Sequence, residues 1–285
     1  MSQTLDTLYQ NLRQQLLPVS ASDTQAGAEA LLILDHVLHF PQEAIYSNGS
    51  QLIDENQLAL IRYFLDQRIE KRIPIQYLVH QACFYGLNFY VNPHVLIPRP
   101  ETELLVEQAL AHIKEGMSVL DVGTGPGTIA IAMSHQFGKK NRIVATDISA
   151  QALKVARINQ KNLGTTVEFK EPGDLFEPVG QETFDAIVSN PPYIDKVLQD
   201  TLSPEVLWHE PQQALFPPDE DVYYFYRRLI HEGKSYLKPG GLLIVETGAG
   251  MTPDVSQLFM IEGYRHIRTI RDYANLDRIV IAERD

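Results

Sequence analysis

The second part of this sequence alternates short apolar strand candidates with helical stretches, and this alternation limits the possible folds more than any other feature. Five strand candidates share a richness in Val, Ile and Leu: residues 118–122, 142–146, 166–169, 184–189 and 241–246. Helical stretches lie between them, notably residues 149–162 and 221–237. Short apolar strands separated by helices are typical of a parallel sheet covered on both faces. The sequence therefore predicts an α/β fold with a doubly wound, mostly parallel sheet.

The two ends of the chain depart from this alternation. Strand candidates 266–271 and 278–282 are joined by a short link without a helix, which predicts an antiparallel pair at one edge of the sheet. Residues 1–80 carry apolar residues at helical spacing, with Ser22, Asp23 and Asp54 as candidate caps. We expect three parts: a small helical domain at 1–80, a hairpin linker at 81–97 and the α/β domain at 98–285.

Composition narrows the class of protein. With 285 residues, of which 44% are hydrophobic, the chain can bury a large core in one or two domains. The chain has 24 Lys and Arg against 36 Asp and Glu, so its net charge is -12. Because nucleic acids are bound largely through neutralisation of their phosphates by Lys and Arg, this charge argues against general nucleic-acid binding. Cys83 is the only cysteine, and no apolar run approaches the ~20 residues of a membrane-spanning helix. Residues 1–6 lack the basic and apolar regions typical of a signal peptide, so none is expected. We expect a cytoplasmic protein.

A glycine-rich loop, Gly123-Thr124-Gly125-Pro126-Gly127, follows the first strand candidate of the predicted sheet and opens a helix. Loops at this point of a doubly wound sheet bind nucleotide-like ligands. The dinucleotide fingerprint requires a third glycine or an alanine at position 128, where this chain has Thr128. The loop therefore favours an adenosine ligand without a pyrophosphate over a nicotinamide dinucleotide.

Two acidic residues accompany the loop. Asp147 ends the next strand candidate, at the ~20-residue offset from which a carboxylate accepts hydrogen bonds from ribose hydroxyls. The alternative is a helix cap, although Ser149 can also serve that purpose. Asp121 ends the strand before the loop and is expected to face a cationic amino group of the ligand.

The tetrapeptide Asn190-Pro191-Pro192-Tyr193 follows the strand candidate at 184–189. The Asn190 side-chain oxygen and the Pro191 carbonyl can accept the two protons of a planar NH2 group, and neither proline has an N–H that competes for them. We expect the Tyr193 ring to lie against that group and exclude water. The alternative is a rigid surface turn. As a site, the tetrapeptide favours methylation of an amide or amine, with Asn190, Pro191 and Tyr193 as catalytic residues.

Several segments together resemble the release factor glutamine methyltransferases, the HemK/PrmC family. They are Leu96-Ile97-Pro98-Arg99-Pro100-Glu101-Thr102-Glu103, the glycine loop, Val188-Ser189 with the tetrapeptide and Ile194, Glu210-Pro211 with Ala214-Leu215, and Leu237-Lys238-Pro239-Gly240-Gly241. Members of this family transfer a methyl group from S-adenosylmethionine to the glutamine of the Gly-Gly-Gln loop in peptide chain release factors. The resemblance covers nearly the whole chain and implies the same fold, cofactor and protein partner here.

The resemblance also implies individual roles. The glycine loop would line the methionine end of S-adenosylmethionine, Asp147 would hold its ribose and Leu175 would flank its adenine. Asn190 would contact cofactor and substrate, and Pro191, Pro192 and Tyr193 would complete the glutamine pocket. The helical domain and the junction would engage the release factor.

Arg99 is a candidate for binding an acidic group of the substrate protein, or alternatively a partner of Glu101 or Glu103. Two departures from the family pattern, at residues 217–222 and at Met251, do not touch the expected chemistry but affect the expected recognition of the partner.

Three other functions remain open at this stage: an amino methyltransferase acting on nucleic acid, a nicotinamide-dependent oxidoreductase and a non-catalytic binding protein. The acidic balance argues against the first, Thr128 against the second and the intact tetrapeptide against the third. We further expect a monomer that uses no metal ion and contacts neither nucleic acid nor membrane directly.

Overall fold

The computed structural model describes residues 4–39 and 47–285, apart from the side chain of Asp219. It divides into two compact units. The first consists of Met1–Gln81 and Ser203–His209, and the second of Ala82–Leu202 and Glu210–Asp285. Residues 203–209, which the sequence analysis assigned to the α/β domain, thus group with the helical unit, and the hairpin expected as a linker groups with the α/β unit.

Helices and strands alternate through the second unit as expected. In chain order the helices of the described residues are Leu5–Leu16 (α1), Asp23–Leu38 (α2), Glu55–Glu70 (α3), Ile75–Val79 (α4), Glu101–His112 (α5), Thr128–Phe137 (α6), Ala150–Leu163 (α7), Pro204–His209 (α8), Gln212–Leu215 (α9), Tyr224–Tyr236 (α10) and Thr252–Ile261 (α11). The strands are Ala82–Phe84 (β1), Leu87–Phe89 (β2), Ser118–Val122 (β3), Arg142–Thr146 (β4), Glu168–Phe169 (β5), Phe184–Ser189 (β6), Leu237–Glu246 (β7), Arg265–Arg271 (β8) and Asp277–Glu283 (β9).

Side-chain caps start the helices of the first unit where the sequence predicted. The Ser22 hydroxyl accepts a hydrogen bond from the Gln25 N–H at 3.1 Å, so Ser22, rather than Asp23, caps α2. Asp54 and Gln57 form a reciprocal capping box at the start of α3. Caps of this kind satisfy N–H groups that have no partner inside the helix.

A buried arginine organises the polar interior of the helical unit. The Arg68 side chain of α3 is 1% exposed and bonds to Glu29 of α2 at 2.9 Å, to the Val19 carbonyl at 2.8 Å and to Glu205 of α8. A guanidinium has five N–H donors, so one side chain can serve all these acceptors. The Arg68–Glu205 pair explains why residues 203–209 belong to this unit.

The second unit contains a seven-stranded sheet in the order β5-β4-β3-β6-β7-β9-β8. Strands β5, β4, β3, β6 and β7 are parallel, and β9 and β8 are antiparallel, which confirms the predicted sheet and its edge pair. The largest differences in strand bounds are that β7 begins at Leu237 rather than at 241 and that β5 is reduced to two residues; β8 and β9 are each one or two residues longer than predicted.

Both faces of the sheet are buried, as the apolar strands require. In β6, Ala186 and Val188 pack on one face together with residues of α5 and α6. Ile187, between them, packs on the other face with residues of α10. This two-sided burial explains why β6 reads as a continuous apolar run rather than as an alternating one.

The register of the sheet aligns the carboxyl ends of four neighbouring strands. The aligned residues are Thr146 of β4, Val122 of β3, Ser189 of β6 and Val245 of β7. The next residues along these strands are Asp147, Gly123, Asn190 and Glu246. The chain leaves β3 toward β4 on one side and later returns to β6 on the other. Ligands of doubly wound sheets bind at such a switch point.

Two further findings concern the described residues as a whole. No helix among residues 4–39 and 47–285 is long and apolar enough to cross a membrane. Within the same residues, no group of three or more His, Cys, Asp or Glu side chains is arranged to hold a metal ion.

Candidate active site

A cavity of about 310 Å³ opens at the carboxyl ends of β3 and β6, within the second unit. Its volume lies at the lower end of the ~300–1,000 Å³ range of small-molecule sites. Ten residues singled out from the sequence line it: Arg99, Gly123, Thr124, Gly125, Pro126, Asp147, Leu175, Asn190, Pro191 and Pro192. The structure therefore brings the glycine loop, the acidic residue after β4 and the diproline corner, Asn190-Pro191-Pro192-Tyr193, to one site.

Asp121, Gly127 and Tyr193 were also expected at the ligand, but they do not line the cavity. Each of them lies behind a lining segment. They support the walls of the site, as their contacts show.

The three loop glycines are required for two different reasons. Gly123 and Gly125 have φ values of 76° and 56°, in the left-handed region that favours glycine. Gly127 also has a positive φ, of 86°, and a Cβ there would lie 2.9 Å from Ile131 Cδ1 and 3.2 Å from Ala156 Cβ. Gly127 thus allows the loop to pack closely on α6 and α7, whereas the sequence analysis expected it to line the ligand.

Asp121 holds the loop from behind. Its Oδ2 accepts hydrogen bonds from the Thr124 hydroxyl at 2.6 Å and from the Ala130 N–H at 3.2 Å. The side chain is fully buried, and Oδ1 has no hydrogen-bond partner in the part of the chain that the structure describes. Burial raises the pKa of this carboxyl to about 7. Asp121 thus contacts the loop, and its direct contact with a ligand amino group stays a prediction.

Asp147 lines the cavity and is fixed by backbone donors. The N–H groups of Gly125 and Ser149 each bond to one of its oxygens, both at 2.8 Å. Burial raises the pKa of Asp147, while these backbone bonds lower it. Ser149 itself caps α7 by accepting from Ala152, so the helix has its cap without Asp147. Each carboxylate oxygen has a second lone pair, so Asp147 can still accept hydrogen bonds from two adjacent hydroxyl groups.

Asn190 is held by a partner that lies 88 residues away in the sequence. Its Nδ2 donates to the Thr102 hydroxyl oxygen of α5 at 3.0 Å, and Thr102 is 4% exposed. The side-chain nitrogen is thereby engaged on the protein side, and the side-chain oxygen remains as the acceptor for a ligand in the cavity.

Tyr193, the last residue of the diproline corner, does not line the cavity. Its half-buried ring lies against Gly248, and its hydroxyl lies 3.5 Å from Oε1 of Glu246, at the end of β7. Burial, and then the Glu246 charge, raise the pKa of Tyr193 to about 12, so the hydroxyl remains a donor. That this ring lies against the ligand amide stays a prediction.

Arg99 lines the cavity but is already paired. Its guanidinium bonds to Glu210 Oε1 at 2.6 Å, and Glu210 Oε2 accepts from the Ile97 N–H at 3.2 Å. Neither sequence-based alternative, Glu101 or Glu103, is the partner; Glu103 instead accepts from the Tyr85 N–H at 2.7 Å. Glu210 thus joins the segment before α5 to the segment that follows the diproline corner.

Thr102, Glu210 and Glu246 also belong to this site and were not predicted from the sequence. Thr102 and Glu210 belong to segments that carry the family resemblance, and Glu246 ends the strand beside β6, so each had a signal that could have been used. Two departures from the family pattern also lie nearer to the site than expected from the sequence. Pro218 lines the cavity, and Met251 lies against Gly248, the residue that contacts Tyr193.

Comparisons with known proteins agree with this arrangement. The family model "Methyltransferase small domain" matches residues 100–218, and "PrmC N-terminal domain" matches residues 9–79. The release factor glutamine methyltransferase of Geobacter sulfurreducens is 38% identical over 255 residues, which cover 90% of this chain and 88% of that protein. Its counterpart in Bacillus cereus is 36% identical over 287 residues, covering 97% of this chain and 99% of that protein.

A solved structure supports the fold independently. A methyltransferase from Pyrococcus furiosus superposes with a TM-score of 0.54 at 19% identity, covering 81% of this chain and 99% of that one. At that identity the likeness concerns the fold alone, and it is the fold that the glycine loop and the strand order predict. The identity to the curated relatives over nearly their full length carries the assignment. The chain belongs to the release factor glutamine methyltransferase family.

Proposed function

We propose that this protein transfers a methyl group from S-adenosylmethionine to the side-chain amide nitrogen of the glutamine in the Gly-Gly-Gln loop of peptide chain release factors. One observation carries the proposal beyond the family assignment. Asn190 lines the same cavity as the glycine loop and Asp147, and its side-chain nitrogen is bound to Thr102. With that nitrogen held by Thr102, Asn190 Oδ1 is available as the acceptor that a substrate NH2 requires.

The residues present fit the cofactor. Asp147 has spare lone pairs for two ribose hydroxyls, and the left-handed backbone at Gly123 and Gly125 leaves no Cβ on that wall. Leu175 lines the cavity and supplies an apolar surface for a flat ring. When bound, S-adenosylmethionine supplies a methyl group on a positively charged sulfur. We assign its binding to Gly123, Thr124, Gly125, Pro126 and Asp147, with Leu175 beside the adenine.

Orientation of the substrate is the task of the diproline corner. An amide nitrogen is a poor nucleophile because its lone pair is delocalised into the carbonyl group. Two acceptors, Asn190 Oδ1 and the Pro191 carbonyl, can hold both N–H protons and so fix the direction in which the nitrogen faces the methyl group. Positioning of reactants lowers a barrier by about 7–11 kcal/mol in the best intramolecular reactions.

Proton release needs no strong base. As the methyl group leaves, the donor would become a neutral thioether and the positive charge would pass to the amide nitrogen. That nitrogen is then acidic and loses one of its two protons to solvent water, with Asn190 Oδ1 and the Pro191 carbonyl acting only as hydrogen-bond acceptors. Exclusion of water assists the transfer, because strong solvation of the positive charge would raise the barrier. The apolar wall formed by Pro191, Pro192 and Phe225 favours such exclusion.

We also propose that the helical unit recognises the release factor, and that the protein works in the cytoplasm, where release factors act in translation. The match of residues 9–79 to the PrmC N-terminal domain supports the first part. Arg99 contributes to this recognition indirectly, because its pairing with Glu210 shapes the cavity rim.

The experiment that tests the proposal offers the protein three substrates with labelled S-adenosylmethionine: a release factor, the same release factor with its loop glutamine replaced by alanine, and total RNA with DNA. We expect label in the first only. Label in nucleic acid alone would reject the proposal in favour of an amino methyltransferase acting on bases. Equal label in both release factors would reject the glutamine as the acceptor.

A further inference from the structure

A buried carboxylate lies behind the diproline corner, and the proposed reaction makes no use of it. Glu246 is 1% exposed and ends β7, level with Asn190 at the end of the neighbouring β6. Its Oε1 lies 3.5 Å from the Tyr193 hydroxyl, and its Oε2 has no hydrogen-bond partner within the described residues. A buried carboxylate with an unsatisfied oxygen is costly, so its presence calls for an explanation.

Thr102 bonds to Asn190 and is a neighbour of this carboxylate. Its hydroxyl oxygen accepts from Asn190 Nδ2 at 3.0 Å. Burial raises the pKa of Glu246 to about 7, and the adjacent Thr102 hydroxyl is the first of the groups that oppose this shift. A hydroxyl group has one proton and two lone pairs. With a lone pair given to Asn190, the Thr102 proton is available to the Glu246 carboxylate.

We propose that Glu246 is a positioning residue that sets the orientation of the Asn190 side-chain amide through Thr102. The ionised carboxylate takes the Thr102 proton, so Thr102 presents only an acceptor to Asn190. Asn190 must then turn its nitrogen toward Thr102 and its oxygen toward the cavity. This inference rests on the proposed function, because the orientation matters only if the ligand offers an NH2 group.

Shape alone cannot set this orientation. The oxygen and nitrogen of a carboxamide are nearly equal in size, so only their hydrogen-bond partners distinguish them. A reversed Asn190 would present a donor to the two protons of the substrate amide and would repel them. A fixed acceptor behind the corner therefore selects the productive orientation before the substrate arrives.

The charge of Glu246 depends on groups from every element packed around it. Arg278 of β9 lowers its pKa, Glu101 of α5 raises it, and Tyr193 donates to it. The Tyr226 hydroxyl of α10 donates at 3.0 Å to the backbone carbonyl of Glu246. Protonation would make one carboxyl oxygen a donor and allow the Thr102 hydroxyl to reverse. Turnover should therefore rise with pH as Glu246 ionises.

Glu246→Gln tests this directly, because glutamine has the same shape but always carries a donor. We expect kcat with a release factor to fall roughly tenfold, the size of one lost hydrogen bond, with little change in the KM for S-adenosylmethionine. The acidic limb of the kcat–pH profile should disappear. Affinity for the unmethylated release factor, measured without cofactor, should fall as well. Wild-type kcat with the acidic limb intact would overturn the inference.

Two comparisons guard against a general loss of structure. Asp185→Asn removes a carboxylate from the opposite end of β6, where it bonds to Ser118 and Lys238, and should keep the acidic limb. Thr102→Ser should recover most of the activity that Thr102→Val loses, even if Glu246→Gln fails to fold. Equal activity of the two Thr102 variants would also overturn the inference. If instead the wild-type protein methylates no release factor, the proposed function itself fails.

Discussion

The two walls of the cavity are both backed by a buried carboxylate, but they are held in different ways. On the cofactor side, Asp121 bonds to Thr124 and Ala130, three and nine residues along the chain. On the substrate side, Asn190 is held by Thr102, 88 residues away, and Tyr193 lies beside Glu246, 53 residues away. Burial raises the pKa of both Asp121 and Glu246 to about 7.

The difference concerns what each wall must provide. In the proposed function, the glycine loop binds the cofactor through its backbone, whose shape is set by local turns and by a nearby side chain. The diproline corner is proposed to present one particular atom of Asn190, in an orientation that depends on side chains from α5 and β7. Damage to the loop should therefore appear as weaker cofactor binding and lower stability, and damage to the corner as slower turnover.

The largest effect is expected from Asn190→Ala, which removes the acceptor from the corner. Loss of one oriented polar group at a reacting centre lowers kcat by about 10²–10³-fold in other enzymes. Single-turnover methylation of a release factor would measure it, with S-adenosylmethionine affinity determined separately. Asn141→Ala, at a side chain bonded to the Lys114 carbonyl, provides the control. A corner variant that kept most of the wild-type rate would contradict the role given to Asn190.

Gly127→Ala should mainly lower stability, whereas Asn190→Ala mainly lowers turnover. The added Cβ would lie 2.9 Å from Ile131 Cδ1 and would also be strained by the positive φ. Gly164→Ala, at a φ of 64° with no atom within 4 Å, carries the strain without the overlap. We expect Gly164→Ala to lower the free energy of unfolding by about 1–2 kcal/mol, and Gly127→Ala by a further ~1–3 kcal/mol. Denaturant unfolding measures both, and equal losses would show that close packing at Gly127 is unimportant.

Asp121→Asn tests how the Asp121 carboxyl contributes to the pH dependence of the free energy of unfolding. Burial raises the folded-state pKa of Asp121 from 3.8 to about 7, so the folded protein holds this proton more tightly than the unfolded chain does. The resulting stabilisation is complete below pH 3.8 and is lost as the pH rises through about 7. Asparagine cannot ionise, so the free energy of unfolding of the variant should decline less across this window.

The pH dependence of kcat should also distinguish Asp121 from Glu246. Asp121→Asn should retain the acidic limb that Glu246→Gln loses, because Asp121 contacts the loop and not Asn190. Loss of the limb in both variants would mean that the two walls are not independent.

The smallest effect is expected at the contact behind Tyr193. A Cβ at Gly248 would lie 2.7 Å from Met251 Sδ and 2.9 Å from Tyr193 Cδ2. Displacing a side chain from its preferred rotamer costs about 0.5–1.5 kcal/mol. Gly248→Ala should therefore slow turnover several-fold and leave cofactor affinity nearly unchanged. Met251→Ala in the same background tests whether the flexible thioether or the Tyr193 ring is the sensitive neighbour.

The same contrast explains what the sequence could predict. Strand–helix alternation is a local pattern, and it predicted the sheet and its antiparallel edge. Ten of the cavity-lining residues were predicted from the glycine loop, the acidic residue after the next strand, the tetrapeptide and the resemblance to the family. Register is not local, so the alignment of Asp147, Gly123, Asn190 and Glu246 could not be derived from the sequence alone. Thr102 and Glu246 were missed for that reason, and Arg99 was given near neighbours as partners instead of Glu210.

Burial is the other property that the sequence does not reveal. Asp121, Gly127 and Tyr193 belong to the predicted segments, but only the packed structure shows that they do not line the cavity. Likewise, the pairing of Arg68 with Glu205 joins positions 137 residues apart, and it places residues 203–209 in the helical unit. No spacing rule relates residues so far apart.

Mass spectrometry of a release factor after reaction with S-adenosylmethionine and either wild-type protein or Asn190→Ala tests the central claim most directly. The account predicts the mass of one added methyl group on the side chain of the Gly-Gly-Gln glutamine with the wild-type protein, and almost none with the variant. A methyl group on any other residue, or equal modification by both proteins, would contradict it.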